Sequence, residues 1–338
     1  MASIAYDSFD SAPRTTHTRN GASHDRARRA ALLHLDGDRA AALAEYRAAL
    51  DEHPDHASTL NNLGFLYAQD GEWTQAIGCY ERSIQLQPNG AMAHINLATA
   101  RAKLGDLPEA LQLLERASQL DPSNVLAWEN KARLLLLVPD LPAAEQAWRK
   151  LLELAPEQPR FAVALATTIA GQRRAYEAIA LLQLVLREHP LHAPAWAQLG
   201  VLLFVRRDLG SALEALQRAL ELAPADTHAR HYLAMVLLAI GDGHAAVAEL
   251  ARILEFDPAF WAARIDLAIH ALSAGQWMEA LEQLAIVLAA EPANERALFY
   301  RGVAVNEIGD SETANGIFTE LAKNDSKYGE FARQCLAA

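Results

Sequence analysis

The sequence predicts an all-α chain built from one helix-turn-helix unit repeated about nine times, and three observations predict it. Prolines stand at Pro54, Pro88, Pro122, Pro156, Pro190, Pro224, Pro258 and Pro292, each 34 residues after the last, so eight of the 14 prolines share one register. Alanines at Ala42, Ala76, Ala110, Ala144, Ala178, Ala212, Ala246, Ala280 and Ala314 keep the same interval without a miss. Between prolines, apolar and small residues recur at steps of three and four on either side of a turn. From Asn61 to Pro88 they are Leu63, Gly64, Tyr67, then Ala76, Ile77, Tyr80 and Ile84, with Asp70-Gly71 between the halves. Each half is an amphipathic helix, and the pair is one unit of an array.

Taken in order, residues 1–22 read as a flexible leader and the units follow at 23–56, 57–90, 91–124, 125–158, 159–192, 193–226, 227–260, 261–294 and 295–328. The leader region has its own charge. Residues 1–30 carry Arg14, Arg19, Arg26, Arg28 and Arg29 against Asp7, Asp10 and Asp25, about +2, while the whole chain is at −12. It reads as a solvated leader, or as a tail that docks on an acidic surface of its own array or a neighbour's. The first unit, with Arg26 and Arg29 at core-type positions, is one cap. The ninth has Arg301 where leucine is expected, Asn315 after the ladder alanine and Ser326 in place of proline. It is the other cap, and SKYGEFARQCLAA adds a closing helix over 329–338.

Composition agrees. A repeat array is one quasi-linear body, so 338 residues do not imply two or three separate domains, and 51% hydrophobic content supplies a large core. The only cysteines, Cys79 and Cys335, lie in different units and form no disulfide framework, which fits a reducing compartment. MASIAYDSFDSAPRTTHTRNGASH lacks an apolar stretch of signal-peptide length, and no segment has the apolar length of a membrane span. A cytoplasmic location is expected. The net charge argues against nucleic acid as partner, since phosphate contact needs a basic face.

With positions counted from the start of each unit, the second copy places Leu60, Leu63, Gly64, Tyr67, Ala76, Tyr80 and Pro88 on the pattern W-x2-L-G-x2-Y, A-x3-F, P. The sixth copy repeats it with Trp196, Leu199, Gly200, Leu203, Ala212, Leu216, Ala219 and Pro224, and the fourth with Trp128, Ala132, Leu135, Ala144, Trp148 and Pro156. The chain resembles the tetratricopeptide repeat family over about nine-tenths of its length. The resemblance implies a right-handed superhelical solenoid, with the first helix of each hairpin, helix A, lining the inner surface.

Position 8 is small in every copy: Ala30, Gly64, Ala98, Ala132, Ala166, Gly200, Ala234, Ala268 and Gly302. Closely approaching helices demand this, because a larger side chain would overpack the contact by about 1–3 kcal/mol. The proline after helix B ends it and fixes the turn to the next hairpin. Some turns depart from Gly-Asp: Pro139-Asp140 in the fourth copy, Arg173-Arg174 in the fifth, Arg207-Asp208 in the sixth. Different local bending is expected there.

Catalytic signatures are missing: the sequence has no phosphate-binding loop, G-x-S-x-G, H-E-x-x-H or C-x-x-C. No enzyme activity, metal or cofactor is expected. The histidine pairs His53/His56, His189/His192 and His228/His231 lack a third ligand, and Trp73, Trp128, Trp148, Trp196, Trp261 and Trp277 read as core or wedge residues. Carboxylates at turn position 16 read as helix caps.

The candidate site is on helix A, at positions 2, 5, 6, 9, 12 and 13, which the resemblance places on the concave face. Position 6 of copies two to four is Asn62, Asn96 and Asn130, with Phe65, Thr99 and Arg133 at position 9. In similar superhelices asparagines here hold the backbone of an extended peptide; equally, they bond the neighbouring hairpin. Farther on the face turns apolar. Thr167 and Gln198 precede Val201, Phe204, His231, Met235, Leu238, Ile265, Ile269 and Leu272, and helix A of copies five to eight is apolar nearly all round. Either a partner covers it, or successive A helices cover one another. No copy has the Lys and Asn pair of a clamp for acidic C-terminal tails.

The expected function is a non-catalytic protein-interaction module, adaptor or chaperone-like, that takes an extended or helical segment of a client protein or peptide. Two alternatives stay open: a self-assembling scaffold forming a homo-oligomer, with SIAYDSFD or a second subunit in the groove, and an accessory subunit presenting a peptide to a separate enzyme.

Overall fold

The computed structural model describes residues 19–337, with side chains from 25 onward. The part of the predicted leader before Arg19, and the docking expectation attached to it, lies outside the described residues. Those described form 19 α-helices. They make two compact units, one ending at Ala178 and the other beginning at Ile179.

The first unit holds the hairpins α1 (Arg19–Leu35) with α2 (Arg39–Glu52), α3 (Ala57–Gln69) with α4 (Trp73–Leu86), α5 (Ala91–Lys103) with α6 (Leu107–Leu120), and α7 (Val125–Leu137) with α8 (Leu141–Leu154), then α9 (Pro159–Gly171) and the start of α10 (Ala175–Glu188). To the second belong the rest of α10, α11 (Ala193–Val205) with α12 (Leu209–Leu222), α13 (Thr227–Ile240) with α14 (Gly243–Phe256), α15 (Trp261–Ser273) with α16 (Trp277–Ala290), and α17 (Glu295–Glu307) with α18 (Ser311–Leu321) and α19 (Lys327–Ala337). Odd-numbered helices up to α17 are the A helices.

Both small ladders do what their spacing requires. All nine ladder alanines, Ala42 to Ala314, are 0% exposed. At position 8 a Cβ added to Gly64 would stand 2.7 Å from the Tyr80 ring, at Gly200 2.5 Å from Leu216, and at Gly302 2.6 Å from Phe318. Each glycine therefore makes room for the residue sixteen places later, on the B helix of the same hairpin.

The A-to-B turns are alike despite their sequences. In every copy the amide two residues into the turn donates back to a carbonyl five residues earlier, as in Glu72 N–H to Tyr67 O at 2.9 Å and Asp106 N–H to Arg101 O at 3.0 Å. Glycine supplies the left-handed backbone in six turns, and Arg173 and Arg207 adopt it too, each at φ 64°. These turns keep the closing bonds Arg174 N–H to Ile169 O and Asp208 N–H to Leu203 O, so the turn itself is conserved in form despite the missing glycine. The arginines hold a conformation that costs an L-residue roughly 1 kcal/mol. Pro139 also leaves the bond from Asp140 N–H to Leu135 O in place.

Aspartates at position 16 cap the B helices: Asp38, Asp106, Asp140, Asp208, Asp242 and Asp310 each accept a hydrogen bond from the backbone N–H three residues on. At the B-to-A junctions position 4 ties helix A to the preceding proline. Trp128 and Trp196 donate indole N–H bonds to the carbonyls of Pro122 and Pro190, at 3.0 and 2.9 Å. Arg230 and Arg264 do the same to Pro224 and Pro258.

The ends close differently. In the first hairpin Arg26 pairs with Glu45 and Glu52 on α2, and Arg29 with Glu45. These arginines belong to a repeat helix that opens at Arg19. At the other end Ser326 stands where proline would, its hydroxyl accepts from Gly329 N–H at 3.1 Å, and α19 begins. Phe299 of α17 packs on Phe318, Tyr328 and Phe331, sealing the last hairpin.

Candidate functional site

Sequential A helices of the first unit are joined side by side by polar bonds. Asn96 donates from Nδ2 to Asn61 Oδ1 at 3.1 Å, 35 residues back. Asn130 Nδ2 reaches Thr99 Oγ1 at 3.5 Å. Glu129 is buried and accepts both guanidinium nitrogens of Arg160, at 2.9 and 3.0 Å, while Arg133 pairs with the same carboxylate at 2.6 Å. His34 meets Gln69 at 2.9 Å, again 35 residues apart. A carboxamide can serve in such a row because it donates and accepts at once, at about 1 kcal/mol net per bond.

All three asparagines of the predicted ladder are buried: Asn62 and Asn96 are 0% exposed and Asn130 is 1%. Each engages a partner in addition to any bond named above. Phe65 is half-buried beside His34, with ring centroids 5.4 Å apart. Thr99 is buried and donates to Ile95 O, whereas Thr167, at the same register in α9, is exposed.

In the second unit the same positions are apolar except for Gln198 and His231, and they divide into two groups. Gln198, Val201, Phe204, His231, Met235, Leu238 and Ile269 are half-buried, each keeping some surface open. Ile265 and Leu272 are in the core with Ala268, Ala280, Leu284 and Val287, and Ile269 packs against that cluster. Adjacent A helices thus cover part of one another's apolar faces.

One charged group interrupts this face, which sequence reading missed. Asp266, whose side chain is 4% exposed, accepts from His231 Nε2 at 2.6 Å and pairs through its other oxygen with Arg296. His231 is wedged between Phe260 and Tyr232, with centroids 5.3 and 6.2 Å away. A buried carboxylate needs such partners, since leaving it alone would cost several kcal/mol. The signal was present as spacing: Asn61/Asn96, His34/Gln69 and His231/Asp266 are all polar pairs 35 apart.

Elsewhere the ionisable groups serve structure. Glu145 is pushed up by burial but held at about 2 by the stronger sum of hydrogen bonds from Arg149, Arg174 and Gln172. Burial pushes the Cys79 thiol up to about 11, the reverse of an activated nucleophile. His56 caps α3 by accepting from Thr59 N–H.

Models of the tetratricopeptide repeat match residues 55–123, 95–159, 163–227, 203–260 and 265–328, with one of them alone matching more than half of the chain. The chain belongs to the tetratricopeptide repeat family. As such it is a protein-interaction or scaffold repeat module. No curated protein matches it. Among solved structures it is similar to a tetratricopeptide repeat protein from Parabacteroides merdae, at 16% identity over 70% of this chain and 94% of that one, TM-score 0.57. It is also similar to PilF of Pseudomonas aeruginosa, at 21% identity over 64% and 99%, TM-score 0.54. A monomeric mutant of IFIT1 determined with m7Gppp-AAAA aligns at 16% identity over 96% and 82%, TM-score 0.57. At these identities the likeness is one of fold. Among the described residues no helix is long and apolar enough to cross a membrane.

Proposed function

We propose that the protein is a non-catalytic adaptor whose second unit seats an apolar segment of a partner protein on α11, α13 and α15. One observation carries this reading. Val201, Phe204, Met235, Leu238 and Ile269 keep open surface at corresponding positions of consecutive A helices. Position 9 of each helix is apolar there, so a segment running across them meets Val201, Met235 and Ile269 in turn. If the five side chains lose on the order of 30 Å² each, burial gives roughly 4 kcal/mol before association costs. That suffices to orient a segment and leaves affinity to the rest of its interface.

The test replaces two of the open position-9 residues, giving V201D/M235D. Circular dichroism must match wild type, and a partner co-purifying with the wild-type chain from its native host should be lost from the variant. Retention of that partner by a folded variant would sink the reading. Light scattering is run beside it: a mass above the 36.9 kDa of one chain that falls on dilution, and in the variant, would transfer the face to a second copy.

A further inference from the structure

On the A-helix face of the first unit the position-6 side chains are closed to solvent. Asn62, Asn96, Thr99 and Asn130 are at most 2% exposed, whereas Thr167 one repeat later is exposed. The helices packed on α5 are its flanking A helices α3 and α7 and the B helices α4 and α6 behind it. Asn61 Nδ2, fully buried on the same face, has no acceptor among the described residues.

This face is also basic, on an acidic chain. Positions 2, 5, 6, 9, 12 and 13 of copies one to five hold Arg28, Lys103, Arg133 and Arg160 against one carboxylate, Glu129, which Arg133 and Arg160 share. Arg28 and Lys103 are exposed. The acidic side chains of these copies lie otherwise on helix B, at turns and at the start of α1.

We propose that the chain's own N-terminal segment, Ser3 to Pro13, occupies this face as an intramolecular ligand across α3, α5 and α7. The charge fits. Once α1 has taken Arg19, Arg26, Arg28 and Arg29, what precedes it holds Asp7 and Asp10 against Arg14. SIAYDSFDSAP offers Asp7 and Asp10 to the basic groups, Tyr6 and Phe9 as anchors, and backbone amides to the asparagine carboxamides. The length fits as well. Eighteen extended residues before Arg19 reach roughly 60 Å, and three A-helix steps of about 10 Å take them to α7. The proposal concerns a different face from the apolar one of the second unit and does not depend on it.

Tryptic cleavage after Arg14 in the folded full-length chain, followed by mass spectrometry, reads the occupancy. The quadruple variant Y6S/D7N/F9S/D10N is expected to be cut at least ~10-fold faster than wild type, and K103E several-fold faster, at unchanged helicity. A fluorescent peptide of residues 2–13 should bind the quadruple variant and bind wild type at least ~10-fold more weakly, because the face is already filled. Equal cleavage rates, or equal peptide binding, would overturn the proposal. Protection that disappears on dilution would overturn it in favour of the tail of a second copy, and an unprotected Arg14 in the isolated chain would leave the face to another protein.

Discussion

The two units use the same register positions of helix A to build faces of opposite character. In the first, positions 5 and 6 carry Asn61, Asn62, Asn96, Glu129 and Asn130, and neighbouring A helices are joined by amides and an arginine-shared carboxylate. In the second, positions 5, 9 and 12 of α11, α13 and α15 are apolar except for His231, and the buried Asp266 joins His231 and Arg296 across three consecutive A helices. The backbone period permits both, because hairpin packing is set by positions 8, 20 and 24 and by the turns. Inter-hairpin chemistry is free to vary once those are satisfied.

The sharpest way to break the comparison is D266A. It leaves Arg296 and His231 facing a buried void, and should cost about 3–5 kcal/mol, read as a fall in denaturation midpoint reported by the second unit. Substitution of the whole cluster by apolar residues, H231L/D266L/R296M, should recover much of this; no recovery would mean the cluster does more than satisfy itself. In the first unit N96A removes a neutral bond and strands Asn61, for a smaller loss of roughly 1–2 kcal/mol. Because N61A/N96A removes both ends, its cost should fall short of the sum of the single losses, a non-additivity a double-mutant cycle would detect. Smallest is the turn effect, which should be the same in both units: R173G and R207G each relax a left-handed residue and should raise stability by about 0.5–1 kcal/mol. Unequal gains would show that one arginine has a compensating contact.

The period, the two small ladders, the Asp caps and the closing C-terminal helix were legible because each is a local demand repeated in register. Gly64 had to be small whatever its neighbours were. What stayed hidden was lateral. The bond made by Asn96 depends on α3, and those of Asp266 on α13 and α17, partners that a single-helix wheel does not show. For the same reason Ile265 and Leu272 read as open on a wheel and are core in the fold. The arginine turns show the converse: their sequence suggested a new geometry, but the closing hydrogen bond and hairpin packing imposed the common one.

The 35-residue polar links carry a consequence for how such an array can lengthen or shorten. Each link reads the identity of the next repeat, so the repeats are addressed and not interchangeable. Excising 91–124 would set Asn61 opposite Asn130, another asparagine at position 6, and the seam would rejoin with like chemistry. Excising 261–294 would set His231 opposite Tyr300 and strip Arg296 of its carboxylate. Copies three and eight have the same length and the same ladders, yet only the first is a removable link in the chain.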